Sequence, residues 1–191
     1  IKLAITKTTP APKRQPAIFP TADLSIVLSS GTNSSLNFSA VELGVVGLES
    51  VERGWLDEIT QEDLERFDYV SLHAPKFDYG ANEGTEAIFA KIERINKTRE
   101  LDVVVFHPDL VTDLAVFRHA PFKVAFENMD RRKLSFQTPE ELRRVVMENE
   151  NFRAVLDVNH IYTNDPTMQS TPRFYEGLGD RIVQIHISGY A

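Results

Sequence analysis

Eight short runs of apolar and β-branched residues punctuate the chain. They are Ile1–Thr6 (IKLAIT), Leu24–Ser30 (LSIVLSS), Val45–Ser50 (VVGLES), Tyr69–Ala74 (YVSLHA), Leu101–His107 (LDVVVFH), Phe122–Asn128 (FKVAFEN), Ala154–Asn159 (AVLDVN) and Ile182–Ser188 (IVQIHIS). Most are nearly continuous in hydrophobicity instead of alternating, which is how strands covered on both faces read. Helical patterns lie between many of them. Thr60–Phe67 opens on a Thr cap with Asp63 three residues on, close to a capping box. Gly84–Glu100 places Ile88, Ile92 and Ile95 on one face. Thr138–Glu150 combines a cap at Thr138, Pro139 at the first helical position and Glu141 three beyond the cap. Val111–His119 has room for one or two turns.

Alternation of strands and helices predicts a parallel sheet with right-handed crossovers. An open doubly wound sheet and a closed barrel both satisfy that rule. No Gly-rich phosphate loop follows any of the runs, so a dinucleotide fold has no support. A TIM-type β/α barrel also explains why polar residues terminate so many apolar runs, because in a barrel those ends meet at one mouth. The expectation is one small barrel domain over residues 1–191. The first forty residues are less regular. Pro10–Pro20 is too rich in proline for a helix, and Ser29–Ser35 is a polar loop of the kind that faces a site.

The polar ends are His73, His107, Glu127, Asp157 with His160, and His186. Of the five histidines only His119 looks like an ordinary loop residue. Imidazole nitrogen with carboxylate oxygen suits zinc, manganese or iron. No short zinc motif is present, so the signal is placement on the fold. Taken singly, His73 or His107 reads equally well as a core histidine bonded to a carbonyl, and Asp157 as an acceptor for backbone donors. Glu127 is harder to dismiss, since carboxylates are rarely buried unpaired. Glu49 ranks below these, as a supporting or solvated residue. A group of charges in a dry mouth needs a cation to hold it together.

Composition narrows the partners. The 191 residues are 42% hydrophobic with a formal net charge of −7, which disfavours loose binding to nucleic acid or anionic lipid. No membrane span is expected. The absence of cysteine excludes disulfides and thiolate chemistry, and suits a cytoplasmic, reducing setting.

The ordered set SLHAP, VVFHPD, VAFENMD, LDVNHIY and IHISGY resembles the xylose isomerase-like TIM-barrel superfamily, most of all its endonuclease IV branch. The resemblance runs from about Leu24 to Ala191 and makes Leu24–Ser30 the first family strand. Ala40–Val51 resembles the family's first helix and second strand. By that resemblance His73 and His107 hold one metal, Asp157 and His186 a second, and Glu127 bridges them. His160 serves a third metal or the substrate. The family's later Asp-x-His pair and final-strand Glu have no counterpart after His186. The expectation is a barrel closed by Ile1–Thr6 in the eighth position, one with Ile1–Thr6 as an added outside strand, or an incomplete barrel.

Three functions follow from the resemblance. Hydrolysis of phosphoesters by paired metals, usually zinc, ranks first, with Glu127 and His160 as the catalytic pair. Isomerisation or epimerisation of a sugar by one metal ranks second. A barrel with a vestigial metal site and no activity ranks third. The substrate is then a small phosphoester or a sugar. DNA is weakly supported, by Asp130–Leu134 (DRRKL) with Arg118 and Lys123 as candidate phosphate contacts. Phe77 and Tyr79 are expected to cap the mouth, or else to stack on a base or sugar.

Overall fold

A computed structural model describes residues 2–6, 40–45, 56 and 59–188. The Leu24–Ser30 run, Pro10–Pro20, Ser29–Ser35 and Glu49 lie outside them. Seven strands form one sheet: β1 (Lys2–Thr6), β2 (Ala40–Gly44), β3 (Tyr69–His73), β4 (Val103–Phe106), β5 (Val124–Glu127), β6 (Arg153–Asp157) and β7 (Ile182–Ser188). Their order is β1-β7-β6-β5-β4-β3-β2, and every pairing is parallel. The helices are α1 (Gln61–Glu65), α2 (Glu83–Thr98), α3 (Pro139–Val146), α4 (Val158–Asn164) and α5 (Thr171–Leu178).

The caps explain where the helices begin. Thr60 with Asp63, and Thr138 with Glu141, form reciprocal capping boxes. Asn82 caps α2, which starts at Glu83, one residue ahead of the expected start. The helix expected over Thr138–Glu150 stops at Val146, and Val111–His119 supplies only a 3₁₀ turn at Leu114–Phe117. Helices α4 and α5 were not expected from periodicity.

One expectation is corrected. Ala40–Gly44 is a strand, where the resemblance called for a helix followed by a strand. The five residues are all buried and pair with Tyr69–His73. Val41 and Leu43 belong to the helix-covered core, while Glu42 between them points the other way.

Each central strand has two apolar faces, which is why its sequence reads as a continuous run. Val104, Phe106, Phe126 and Leu156 join the core formed with Ile88, Ile92 and Ile95 of α2, Leu142 and Val146 of α3, and Phe174 and Leu178 of α5. Aromatic rings fill its centre, with Phe106 and Phe117 edge to face at 4.8 Å. Val103, Val105, Ala125 and Val155 form a separate small cluster on the inner face. Tyr79, expected at the mouth, is buried in the outer aromatic core against Phe106 and Phe117, and Phe77 packs on it. The bulk of those rings finds more apolar partners there than at a polar mouth.

The sheet curls strongly. Strands β2 and β7 stand five places apart in the order. A flat sheet would separate them by about 24 Å at ~4.8 Å per strand. Yet Glu42 Oε2 of β2 lies 3.0 Å from His186 Nε2 of β7. The inner faces meet across the axis, as in a barrel. β1 takes the place beyond β7, with Ala4 opposite His186. Among the described residues β1 and β2 remain the two edges, so this is a small, incomplete α/β barrel. No described helix is long and apolar enough to cross a membrane.

Candidate metal centre at the C-terminal strand ends

Parallel strands deliver their C-terminal ends to one rim. Inner-face residues occur at every second position, so His73 closes β3, Glu127 closes β5, Asp157 closes β6 and His186 lies near the end of β7. His107 follows β4 directly and immediately precedes the 3₁₀ turn Pro108–Leu110. Together with Glu42 they line a pocket of about 290 Å³.

Glu127 is the hub. Its Oε2 lies 3.3 Å from His73 Nε2 and 3.2 Å from His107 Nε2, and its Oε1 lies 2.5 Å from His186 Nδ1. Glu42 Oε2 receives Ser71 Oγ at 3.2 Å and Gln184 Nε2 at 2.5 Å, besides its contact with His186. Asp157 and His186 are direct register partners. Asn128 ties β5 to β6, donating to the Asp157 carbonyl at 3.1 Å and accepting the Asp157 amide at 2.8 Å.

Burial by itself would push the Glu127 carboxyl up. The His186 imidazole, then His107 and His73, override it and hold it well below the ordinary range. Glu42 is likewise lowered, because His186 and His73 outweigh its burial. Burial would lower His186, but Glu42 and Glu127 raise it well above the usual imidazole value. His73 is raised against burial by Glu127 and Glu42. Asp157 behaves differently. Burial and the neighbouring Glu127 charge raise it, and His160 and His186 only partly offset them.

The donor set fits a divalent cation. His73, His107 and Glu127 each offer a ligand atom within 4.8 Å of the others, and so do Glu127, Asp157 and His186. Glu127 belongs to both triads. Glu127 and Glu42 otherwise rely on neighbouring imidazoles to offset their charge, and a cation held by the triads answers the same need at Glu127.

His160 stands beside these groups and completes neither. Its Nδ1 is 2.7 Å from the Asn128 carbonyl, and its Nε2 is 3.9 Å from Asp157 Oδ2 and 4.0 Å from Asp130 Oδ2. The spacing Asp157-x-x-His160 has a second meaning here. Asp157 is the N-cap of α4, and its Oδ1 accepts the His160 amide at 2.8 Å.

Four of the candidate phosphate contacts face carboxylates. Arg132 is paired with Asp130, and Lys133 Nζ lies 2.6 Å from Asp109 Oδ2. Lys123 lies at the opposite, N-terminal end of the strands, on Glu100 at 2.8 Å, in a separate cavity of about 450 Å³. Arg118 faces Glu148. His119 is exposed in a loop, as expected.

Sequence reading missed Glu42. The available signal was a lone carboxylate between Val41 and Leu43, in a run otherwise apolar.

Comparison with protein families finds no match, and none is found among curated proteins. Among solved structures the fold is similar to that of a D-tagatose 3-epimerase-like protein. The TM-score is 0.55 and the identity 20%, over 78% of this chain and 67% of that one. An N-acetyl-D-glucosamine-6-phosphate deacetylase from Mycobacterium smegmatis is more distant, with a TM-score of 0.43 and 12% identity over 78% of this chain and 52% of that one. At that distance it carries no argument. The likeness to the epimerase-like protein concerns architecture, and in architecture this chain is a small, incomplete β/α barrel with its polar strand ends gathered in one mouth.

Proposed function

We propose that this chain is a divalent-metal-dependent sugar isomerase or epimerase of the xylose isomerase-like superfamily. The observation that carries this reading is the Glu127–Asp157–His186 triad in a pocket of about 290 Å³. That volume suits a small polyol better than a duplex. The architectural likeness to an epimerase-like protein points the same way. So does the engagement of Arg132 and Lys133 by mouth carboxylates, which leaves less positive charge for a nucleic-acid backbone. These points reverse the order given by the sequence, where hydrolysis ranked first.

In this reading Glu127, Asp157 and His186 hold the cation, which supplies polarisation of adjacent sugar oxygens. Glu127 is kept ionised by its imidazole neighbours, the form in which a carboxylate accepts a proton from carbon and returns it. His160 is oriented by the Asn128 carbonyl, so that Nε2 faces the pocket and can bond a sugar hydroxyl.

One observation favours phosphoester hydrolysis as the second reading. The His73–His107–Glu127 triad offers a further cation position that shares Glu127 with the first. Paired cations suit in-line displacement at phosphorus.

The test compares zinc-, manganese- and iron-loaded protein on a panel of aldoses and ketoses, small phosphodiesters and abasic-site DNA. Interconversion of a sugar above an E127A control is the expected result. Cleavage of a phosphoester with no sugar turnover would overturn the proposal. Tight metal binding with no turnover on any substrate would favour a barrel with a vestigial site.

A further inference from the structure

We infer that Glu42 is a positioning residue that sets the tautomer of His186 and so decides which of its ring nitrogens meets the cation. The inference rests on the metal reading above. His186 is 4% exposed and is held at both nitrogens. Its Nδ1 faces Glu127 Oε1 in the triad, and its Nε2 meets both Glu42 Oε2 at 3.0 Å and the Gln184 amide nitrogen at 2.7 Å. A metal-ligating histidine presents one bare nitrogen, and the other nitrogen carries the hydrogen. An ionised carboxylate only accepts. At Nε2 the Gln184 amide competes as a donor, but it already donates to Glu42 Oε2, and the charge-assisted bond from Nε2–H to the carboxylate is the stronger. Glu42 thus draws the hydrogen to Nε2 and leaves the Nδ1 lone pair directed at the triad. A carboxylate behind the ligating imidazole also raises its basicity.

Glu42 is itself well fixed. It is 2% exposed, and Ser71 Oγ and Gln184 Nε2 both donate to Oε2. Tyr69 Oη in turn donates to Gln184 Oε1 at 3.0 Å. Glu42 belongs to neither ligand triad, so its role is to orient another residue. The barrel curl is what makes this contact, since β2 and β7 are not neighbours in the sheet.

The isosteric variant E42Q separates this role from packing. A glutamine can donate to Nε2, which permits the tautomer with hydrogen on Nδ1, aimed at Glu127. Zinc affinity of metal-free wild type and E42Q is measured by competition with a chelating dye. E42Q is expected to bind about 10–100-fold more weakly, while circular dichroism stays unchanged and E42D recovers part of the loss. Equal affinities in wild type and a folded E42Q would overturn the inference and leave the metal reading standing. Failure of wild type to bind any cation would overturn both. A measurement on wild type alone covers the case in which E42Q does not fold. ¹⁵N spectra of the zinc-loaded protein should show His186 protonated at Nε2 and metal-bound at Nδ1, and the reverse assignment would sink the inference.

Discussion

Asp157 on β6 and His186 on β7 are opposite one another in a parallel ladder. Both side chains therefore stand on the inner face at the same height. Register protects the pair, because a slip by one residue would turn one of them out of the pocket. A bulge between Ala154 and Val155 lies below this point and is resolved before the ladder reaches it.

Asp157 has two duties that substitution can separate. As the N-cap of α4 it accepts the His160 amide, and as a carboxylate it faces the triad. D157N keeps a good cap, so its metal-free stability should stay close to wild type. D157A removes the cap and should lose about 0.5–2 kcal/mol in urea denaturation. Both should bind zinc more weakly than wild type. A D157N protein as unstable as D157A would refute the capping role.

The metal-free protein should be most stable in mildly acidic solution. Glu127 and Glu42 are lowered from 4.5, so their contribution is complete above that value and is lost as pH falls through their folded values. His186 and His73 are raised from 6.5, so theirs is complete below that value and is lost as pH rises through their folded values. Asp157 is raised from 3.8, so it costs stability as pH rises above that value. Urea midpoints of chelator-treated protein should therefore fall on both sides of the window from 4.5 to 6.5. With zinc in excess the alkaline decline should shrink, since deprotonated imidazoles bind metal better. A midpoint that climbs steadily from pH 6 to pH 9 without metal would contradict this.

Much of the site was legible because a buried parallel strand has little reason to end on an ionisable group. His73, His107, Glu127, Asp157 and His186 all announce themselves that way. Glu42 did not, because it sits within an apolar stretch and its partner His186 is 144 residues away. The helix starting at Val158 was hidden for a related reason. Asp157 and His160 read as two candidate ligands, and the same spacing is also that of a cap and the amide it satisfies. Tyr79 was misplaced because an aromatic next to a polar run fits a mouth and a core equally well until the neighbouring rings are known.

Glu127 should be indispensable to metal retention. Wild type should gain about 2.7 kcal/mol of stability at a free zinc concentration 100 times Kd. E127A should fold, retain no stoichiometric metal by elemental analysis, and show no zinc-dependent rise in Tm. Full retention of zinc by E127A would remove Glu127 from the centre.

The aromatic core should act on stability without touching the site. Phe117 is buried and contacts Phe106 at 4.8 Å and Phe126 at 5.4 Å, on the face of the sheet away from the pocket. F117A should lose about 3–5 kcal/mol. Zinc affinity of the folded fraction should match wild type. A tenfold loss of affinity would mean that the two faces are mechanically linked.

The curl of the sheet bears on how the molecule folds. Adjacent strands such as β4 and β5 join segments close in sequence, whereas Glu42 and His186 close a loop of 144 residues. Loop entropy and topology make such a closure late and slow. The pocket is therefore expected to mature after most of the ladder has zipped. A refolding chain would recover its secondary structure first and its capacity to capture zinc only in the final kinetic phase.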